Sequence, residues 1–304
     1  MTGHHLTYHE PVLLQECIEA LDIKPDGVYV DVTFGGGGHA RAILAQLGPQ
    51  GSLVAFDRDA DARRNAPDDP RFTLIASDFR WIAKHLRFLN KIPVDGLLAD
   101  LGVSSHQFDT AGRGFSFRFD APLDMRMNQR AKRTAADLVN SLDERALTEL
   151  LRNYGEVYQP HKVARQLVQA RGKKRIGTTG ELVDLLKPLA RRGEEHGFLA
   201  QVFQALRIAV NDELGSLEHL LRVSAEVVKP GGRLVVMSYH SLEDRLVKNW
   251  MKTGDLQGRE EKDVFGNSLR PFKPTQSKAV QPSDAEQLKN PRSRSARLRT
   301  AVRQ

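Results

Sequence analysis

The 304 residues carry 40% hydrophobic and 27% charged side chains and a formal charge of +7, the balance of an ordinary globular protein with room for one large domain or two smaller ones. No apolar run approaches the ~20 residues that span a bilayer. The N-terminus lacks the charged-then-apolar layout of a signal peptide, and Cys17 is the single cysteine, which excludes an intramolecular disulfide and a cysteine zinc site. A cytosolic protein with no membrane partner is expected.

The first hundred residues alternate between helix and strand patterns. Pro11 to Leu21 predicts a helix, Val28 to Val32 a strand, Ala40 to Leu47 a helix and Ser52 to Phe56 a second strand. Phe72 to Ala76 predicts a third strand, Trp81 to Leu89 a helix, and Val94 to Leu98 a fourth strand running into Asp100. This spacing implies an α/β fold with a doubly wound parallel sheet, whose ligands bind beyond the carboxyl ends of the strands. Asp31, the glycines up to His39, Asp57, Asp78 and Asp100 all fall near those ends.

The run Tyr29-Val-Asp-Val-Thr-Phe-Gly-Gly-Gly-Gly-His39 joins the first strand to the next helix, and Asp57 follows the second strand. Glycines let backbone approach a ligand, and the later carboxylate can hold a ribose. No Lys-Ser or Lys-Thr pair follows the glycines, so a P-loop is excluded. The loop by itself suits NAD or S-adenosylmethionine equally.

From 128 to 202 the pattern is helical only, which predicts an inserted helical domain flanked by a core of 1–127 and 203–304. Ser141-x-x-Glu144 and Thr178-x-x-Glu181 read as capping boxes opening apolar-periodic runs. Phe203 to Val228 predicts two further helical stretches. Lys229-Pro-Gly-Gly-Arg-Leu-Val-Val-Met-Ser238 then predicts a turn and a buried strand, an order that favours a methyltransferase over a dehydrogenase. Residues 254–291 are polar and proline-punctuated and carry no clear pattern.

Asp100-Leu-Gly-Val-Ser-Ser-His-Gln107 follows the fourth strand, where a methyl acceptor would lie. An exocyclic base amine is a weak nucleophile, because its lone pair is delocalised into the ring; it needs a proton acceptor and in-line placement. Asp100, with Ser104 nearby, offers acceptors. His240, Ser241, Glu243 and Asp244 leave the last parallel strand on the opposite side, with His240 a further catalytic candidate. They form no nucleophile elbow. Methylation at pyrimidine C5 needs a cysteine nucleophile, and Cys17 lies in the N-terminal helix. His4, His5 and His9 are possible metal ligands, but a turn explains them as well and no metal is expected.

Arg113-Gly-Phe-Ser-Phe-Arg-Phe119 interleaves arginines with aromatics. In an extended segment Phe115, Phe117 and Phe119 would share a face able to stack bases, although a hydrophobic strand face fits the same spacing. Lys289, Arg292, Arg294, Arg297, Arg299 and Arg303 form an acid-free basic end, suited to a phosphate backbone or simply to water.

Taken together, the chain resembles the bacterial 16S ribosomal RNA cytosine-N4 methyltransferase family. The resemblance rests on His9-Glu-Pro-Val-Leu-Leu, Thr33-Phe-Gly-Gly-Gly-Gly-His, Phe56-Asp-Arg-Asp, Asp100-Leu-Gly-Val-Ser-Ser, Arg113-Gly-Phe-Ser-Phe, Pro122-Leu-Asp-Met-Arg-Met, Phe203-Gln-Ala-Leu-Arg-Ile, His240-Ser-Leu-Glu-Asp-Arg and Asn290-Pro-Arg-Ser-Arg-Ser-Ala, spread over nearly the whole length. It implies a Rossmann-like sheet, S-adenosylmethionine as donor, and a cytidine N4 in the decoding region of 16S RNA, within the small ribosomal subunit or its precursor, as acceptor. Carried over by motif, the cofactor contacts are Gly37, Gly38, His39, Asp57, Phe79, Asp100 and Gln107, with Asp78 and Phe79 flanking adenine. RNA contacts are expected from the helical insertion and from Arg113, Phe115, Phe117, Arg292, Arg294 and Arg297. Tyr239 stands where the family usually has Phe, and the Asp/Asn/Ser-Pro-Pro-Tyr/Phe motif of other amino methyltransferases is absent.

Overall fold

The computed structural model describes residues 11–304. His4, His5 and His9, with the start of the His9-to-Leu14 motif, lie outside the described residues. The chain forms two compact units, Met1–Gly102 with Leu214–Gln304, and Val103–Glu213.

The first unit is built on a seven-stranded sheet in the order β3-β2-β1-β4-β5-β7-β6. Strands β1 (Val28–Asp31), β2 (Ser52–Phe56), β3 (Phe72–Ile75), β4 (Val94–Asp100) and β5 (Val228–Ser238) run parallel. Alternate residues serve opposite faces. Leu97 and Ala99 of β4 and Leu234 and Val236 of β5 pack on one side, with Ile82 and Leu86 of α3 (Ile82–Phe88), Leu217, Leu220 and Leu221 of α10 (Glu213–Val227) and Val247 and Trp250 of α11 (Ser241–Thr253). Leu98, Val235 and Met237 pack on the other, with Cys17, Ile18 and Leu21 of α1 (Leu14–Leu21) and Ala40, Ile43 and Leu44 of α2 (Gly38–Gln46). Strands covered on both faces need apolar residues at every position, which explains their continuous hydrophobic runs.

Two strands depart from the parallel sheet that the sequence predicts. β7 (Arg297–Arg303) lies antiparallel between β5 and β6 (Phe272–Pro274). The basic end is therefore an ordered strand: Leu298 is buried on one face of the sheet and Ala301 on the other, with arginines at 297, 299 and 303. Only those two positions are buried, too few to show as an apolar run among the arginines. β6 lies inside the patternless stretch 254–291 and is anchored by the fully buried Phe272.

The second unit is helical: α4 (Ser105–Asp109), α5 (Ala135–Ser141), α6 (Glu144–Gly155), α7 (Pro160–Arg171), α8 (Thr179–Leu186) and α9 (Glu195–Asn211). It begins at Val103, whereas the sequence pattern opens it at 128. Phe115, Leu123, Met125 and Met127 are the reason, since they are buried in the same core as Leu147, Leu151, Leu182 and Leu206. Thr178 does form a reciprocal capping box with Glu181. Ser141 does not: α5 ends there, and Asp143 caps α6 by accepting the Ala146 N–H at 2.7 Å. Among the described residues no helix is long and apolar enough to cross a membrane.

Candidate cofactor site

At the carboxyl ends of β1, β2 and β4 three acids gather around the glycine turn. Asp31 ends β1, is 1% exposed, and accepts the Thr33 N–H at 3.0 Å. Burial lifts its pKa to about 7, and the charge of Asp57 adds to the rise. Asp57 follows β2; its Oδ2 accepts the Gly35 N–H at 2.8 Å and its Oδ1 the Asp59 N–H at 2.7 Å. Burial raises Asp57 as well, against the lowering effect of those two donors. The turn between them needs glycine at Gly37, which has φ of 74° and is the N-cap of α2. A Cβ on Gly38 would collide with the ring of Pro11.

Asp100 ends β4 with its side chain 24% exposed. Its N–H donates to Thr33 Oγ1 at 2.6 Å, and its Oδ1 accepts the Tyr239 hydroxyl at 2.9 Å. Burial, with the neighbouring Asp31 and Glu243, lifts its pKa to about 7, while the Tyr239 hydrogen bond pulls the other way. His39, on the first turn of α2, brings Nδ1 to 3.9 Å from Asp100 Oδ2. Burial pushes His39 down to about 4, so at neutral pH the ring is uncharged and this contact is not an ion pair. Its Nε2 is buried with no hydrogen-bond partner among the described residues.

Residues 6–304 match the MraW methylase family. The chain is 56% identical to ribosomal RNA small subunit methyltransferase H of Parabacteroides distasonis, over 97% of this chain and 97% of that one. It is 54% identical to the Cytophaga hutchinsonii protein of the same name, over 98% of this chain and all of that one (100%).

The chain belongs to the MraW methylase family.

An rRNA methylase structure from Streptococcus thermophilus also aligns over 95% of this chain and 93% of that one, with a TM-score of 0.40 and 13% identity. At that distance it adds nothing to the assignment. This methylase is an S-adenosylmethionine-dependent enzyme, and the site's chemistry suits that cofactor. Two desolvated acids with pKa values near 7 gain from a ligand bearing an ammonium and a sulfonium. A carboxylate has about four acceptor positions. The two backbone N–H bonds to Asp57 therefore leave acceptor capacity for ribose hydroxyls.

The other expected site residues of the methylase have the following surroundings. Asp78 caps a short turn by accepting the Arg80 N–H at 2.9 Å and pairs with Arg58 at 3.1 Å. Phe79 is 9% exposed and packs in the core with Ile82 and Leu86. Ser104 and Gln107 belong to the second unit, where they cap α4: Ser104 Oγ accepts the Gln107 N–H at 3.3 Å and the Ser104 N–H donates to Gln107 Oε1 at 3.2 Å. His240 precedes α11 with its side chain 8% exposed and Nε2 3.2 Å from Glu243 Oε1. Asp244 turns away to Arg297 and Arg299.

The residues of the expected RNA face at 113–119 do not form one exposed aromatic surface. Arg113 is 5% exposed and donates to the carbonyls of Arg126 and Met127 at 3.0 and 3.1 Å, while Phe115 is 4% exposed in the helical core. Phe117 packs edge-on to Phe203 at 5.1 Å and to His196 at 5.0 Å. The segment is irregular with a turn at 117–118 and not an extended strand, so alternation does not put its aromatics on one face, and Phe119 is the exposed one, 45% accessible beneath the Arg118 guanidinium. Of the basic end, Arg297 pairs with Asp244 at 3.2 Å, whereas Arg294 is exposed.

Sequence reasoning missed Tyr239 as a partner of Asp100. No signal in the sequence could have found it: Asp100 pairs with Met237 only in the folded sheet, where the second residue beyond Met237 emerges beside the acid.

Proposed function

We propose that this methylase transfers a methyl group to the exocyclic N4 amine of a cytidine in the decoding region of 16S ribosomal RNA, acting in the cytoplasm on the small subunit or its precursor. The names of its relatives support ribosomal RNA as the substrate. Asp100 carries the amine assignment: a carboxylate at the end of β4, partly exposed and poised near neutrality, is suited to take a proton from nitrogen. The C5 route has no support, because Cys17 is fully buried in α1 and burial pushes its thiol well above the ordinary value.

Gly37, Gly38, His39 and Asp31 would cradle the methionine end of the cofactor, and Asp57 its ribose. When bound, the cofactor supplies a methyl carbon: its bond to sulfur breaks with the electron pair kept by sulfur, while the amine's lone pair forms the new N–C bond and one N–H proton is released. Asp100 accepts that proton and passes it to solvent. Thr33 and Tyr239 hold the acid in place while it does so.

The test is transfer of radioactive methyl to 16S RNA and to small subunits, followed by digestion to nucleosides. Label in N4-methylcytidine is the expected result. Label at C5 or on a ribose oxygen would overturn the proposal.

A further inference from the structure

We propose that Tyr239 is a positioning residue for the methylase reaction: its phenol clamps one oxygen of Asp100 and leaves the other as the proton acceptor. This role rests on the reading of Asp100 as the group that takes the amine proton.

The clamp is anchored at both ends. Tyr239 Oη donates to Asp100 Oδ1 at 2.9 Å, and the Tyr239 backbone N–H donates to Glu243 Oε2 at 2.9 Å at the start of α11. The Asp100 backbone is fixed separately, by Thr33 Oγ1 at 2.6 Å. The Tyr239 ring also lies over Gly102, where an added Cβ would stand 3.5 Å from Tyr239 Cδ2. A carboxylate held by backbone and by one oxygen has little rotational freedom, so Oδ2 keeps a defined direction.

The other groups around Asp100 do not supply this hold. Asp31 of β1 and Glu243 of α11 oppose its charge. His39 of α2 is neutral at working pH, and Cys17 of α1 is a buried thiol held in its protonated form. Tyr239 is likewise kept protonated by burial and by Asp100 itself, so it has a proton to donate to the carboxylate. Of these side chains, the phenol is the one that favours the ionised acid.

Because the acceptor must be ionised, the rate rises with pH through the Asp100 titration. Loss of a donor that favours the charged form raises the acid's pKa and moves this limb to higher pH. The experiment is the pH profile of kcat/KM for Tyr239→Phe, Asp100→Asn and the unaltered enzyme from about pH 5.5 to about pH 9.5, with S-adenosylhomocysteine binding measured on each. Tyr239→Phe is expected to shift the acid limb upward by about one unit, so that its rate is roughly tenfold lower at about pH 6 and converges with the unaltered enzyme by about pH 9.5. Asp100→Asn is expected to lose turnover at every pH. A uniform loss in Tyr239→Phe, or none, overturns the positioning role while leaving Asp100 in place. Near-normal turnover of Asp100→Asn removes the underlying reading, and the clamp with it.

Discussion

Replacing Gly37 with alanine tests the glycine turn as a shaped surface. Gly37 has φ of 74° and ψ of 17°, a left-handed conformation that costs an L-residue about 1–2 kcal/mol. The added Cβ would stand 2.8 and 2.9 Å from Cζ and Cε2 of Phe34. Phe34 is 3% exposed and packs against Phe72 with ring centroids 5.3 Å apart, so it has no free space to yield into. Overpacking of that kind adds about 1–3 kcal/mol. The expected total is roughly 2–5 kcal/mol of stability. Gly231→Ala is the matched comparison: Gly231 has φ of +79° with nothing within 4 Å of where a Cβ would stand, so it incurs the backbone cost of about 1–2 kcal/mol alone. Urea unfolding measures both variants, and titration calorimetry measures their binding of S-adenosylhomocysteine. Gly37→Ala should lose the larger stability and bind at least about tenfold more weakly, the effect of roughly 1.4 kcal/mol, whereas Gly231→Ala should bind normally. Equal stability losses, or unchanged affinity in a folded Gly37→Ala protein, would refute the argument from shape.

Further predictions concern charge. The folded-state pKa of Asp31 is raised from 3.8 to about 7, so between those values the folded protein holds a proton that the unfolded chain releases, and stability falls as pH rises through that window. Asp31→Asn should flatten the fall, by at most on the order of 4 kcal/mol, and weaken cofactor binding; an unchanged pH dependence of unfolding counts against it. Burial pulls Asp244 up, but Arg299 at 2.7 Å and Arg297 at 3.2 Å more than offset this and leave it below the ordinary value. Its stabilising effect is therefore lost as pH falls. Asp244→Ala should cost roughly 3 kcal/mol at neutral pH by leaving Arg299 unpaired beside β5, and a loss below about 1 kcal/mol would show that β7 does not depend on this pair. Arg294→Ala should leave stability unchanged and, if the exposed basic end meets RNA, lower the salt dependence of RNA binding by about one phosphate contact. An unaltered salt slope assigns Arg294 to solvent alone.

The residues of the parallel core were legible because their physics is local. A buried strand must be apolar at successive positions, and a strand-to-helix turn with positive φ must be glycine, so β1, β2, β4 and the turn at Gly37 stand out as text. The acids at the strand ends could be placed for the same reason, since the end of a strand is itself visible. Motifs read from residue type alone fared less well. The Ser141 pattern satisfied a capping box, yet Asp143 took that role, because two potential caps lay within one turn of each other. The aromatics at 115 and 117 looked like a stacking surface, but burial depends on what packs against them.

By itself, then, the sequence determined the family, the alternation that builds the sheet, and which acids lie at its carboxyl edge. Only the tertiary structure decided that the basic end is a strand between β5 and β6, that Arg113 and Phe115 are interior, and that Tyr239 holds Asp100. The physical reason is separation along the chain. Asp100 and Tyr239 are 139 residues apart, and no local propensity encodes a hydrogen bond that exists only once two strands have come into register.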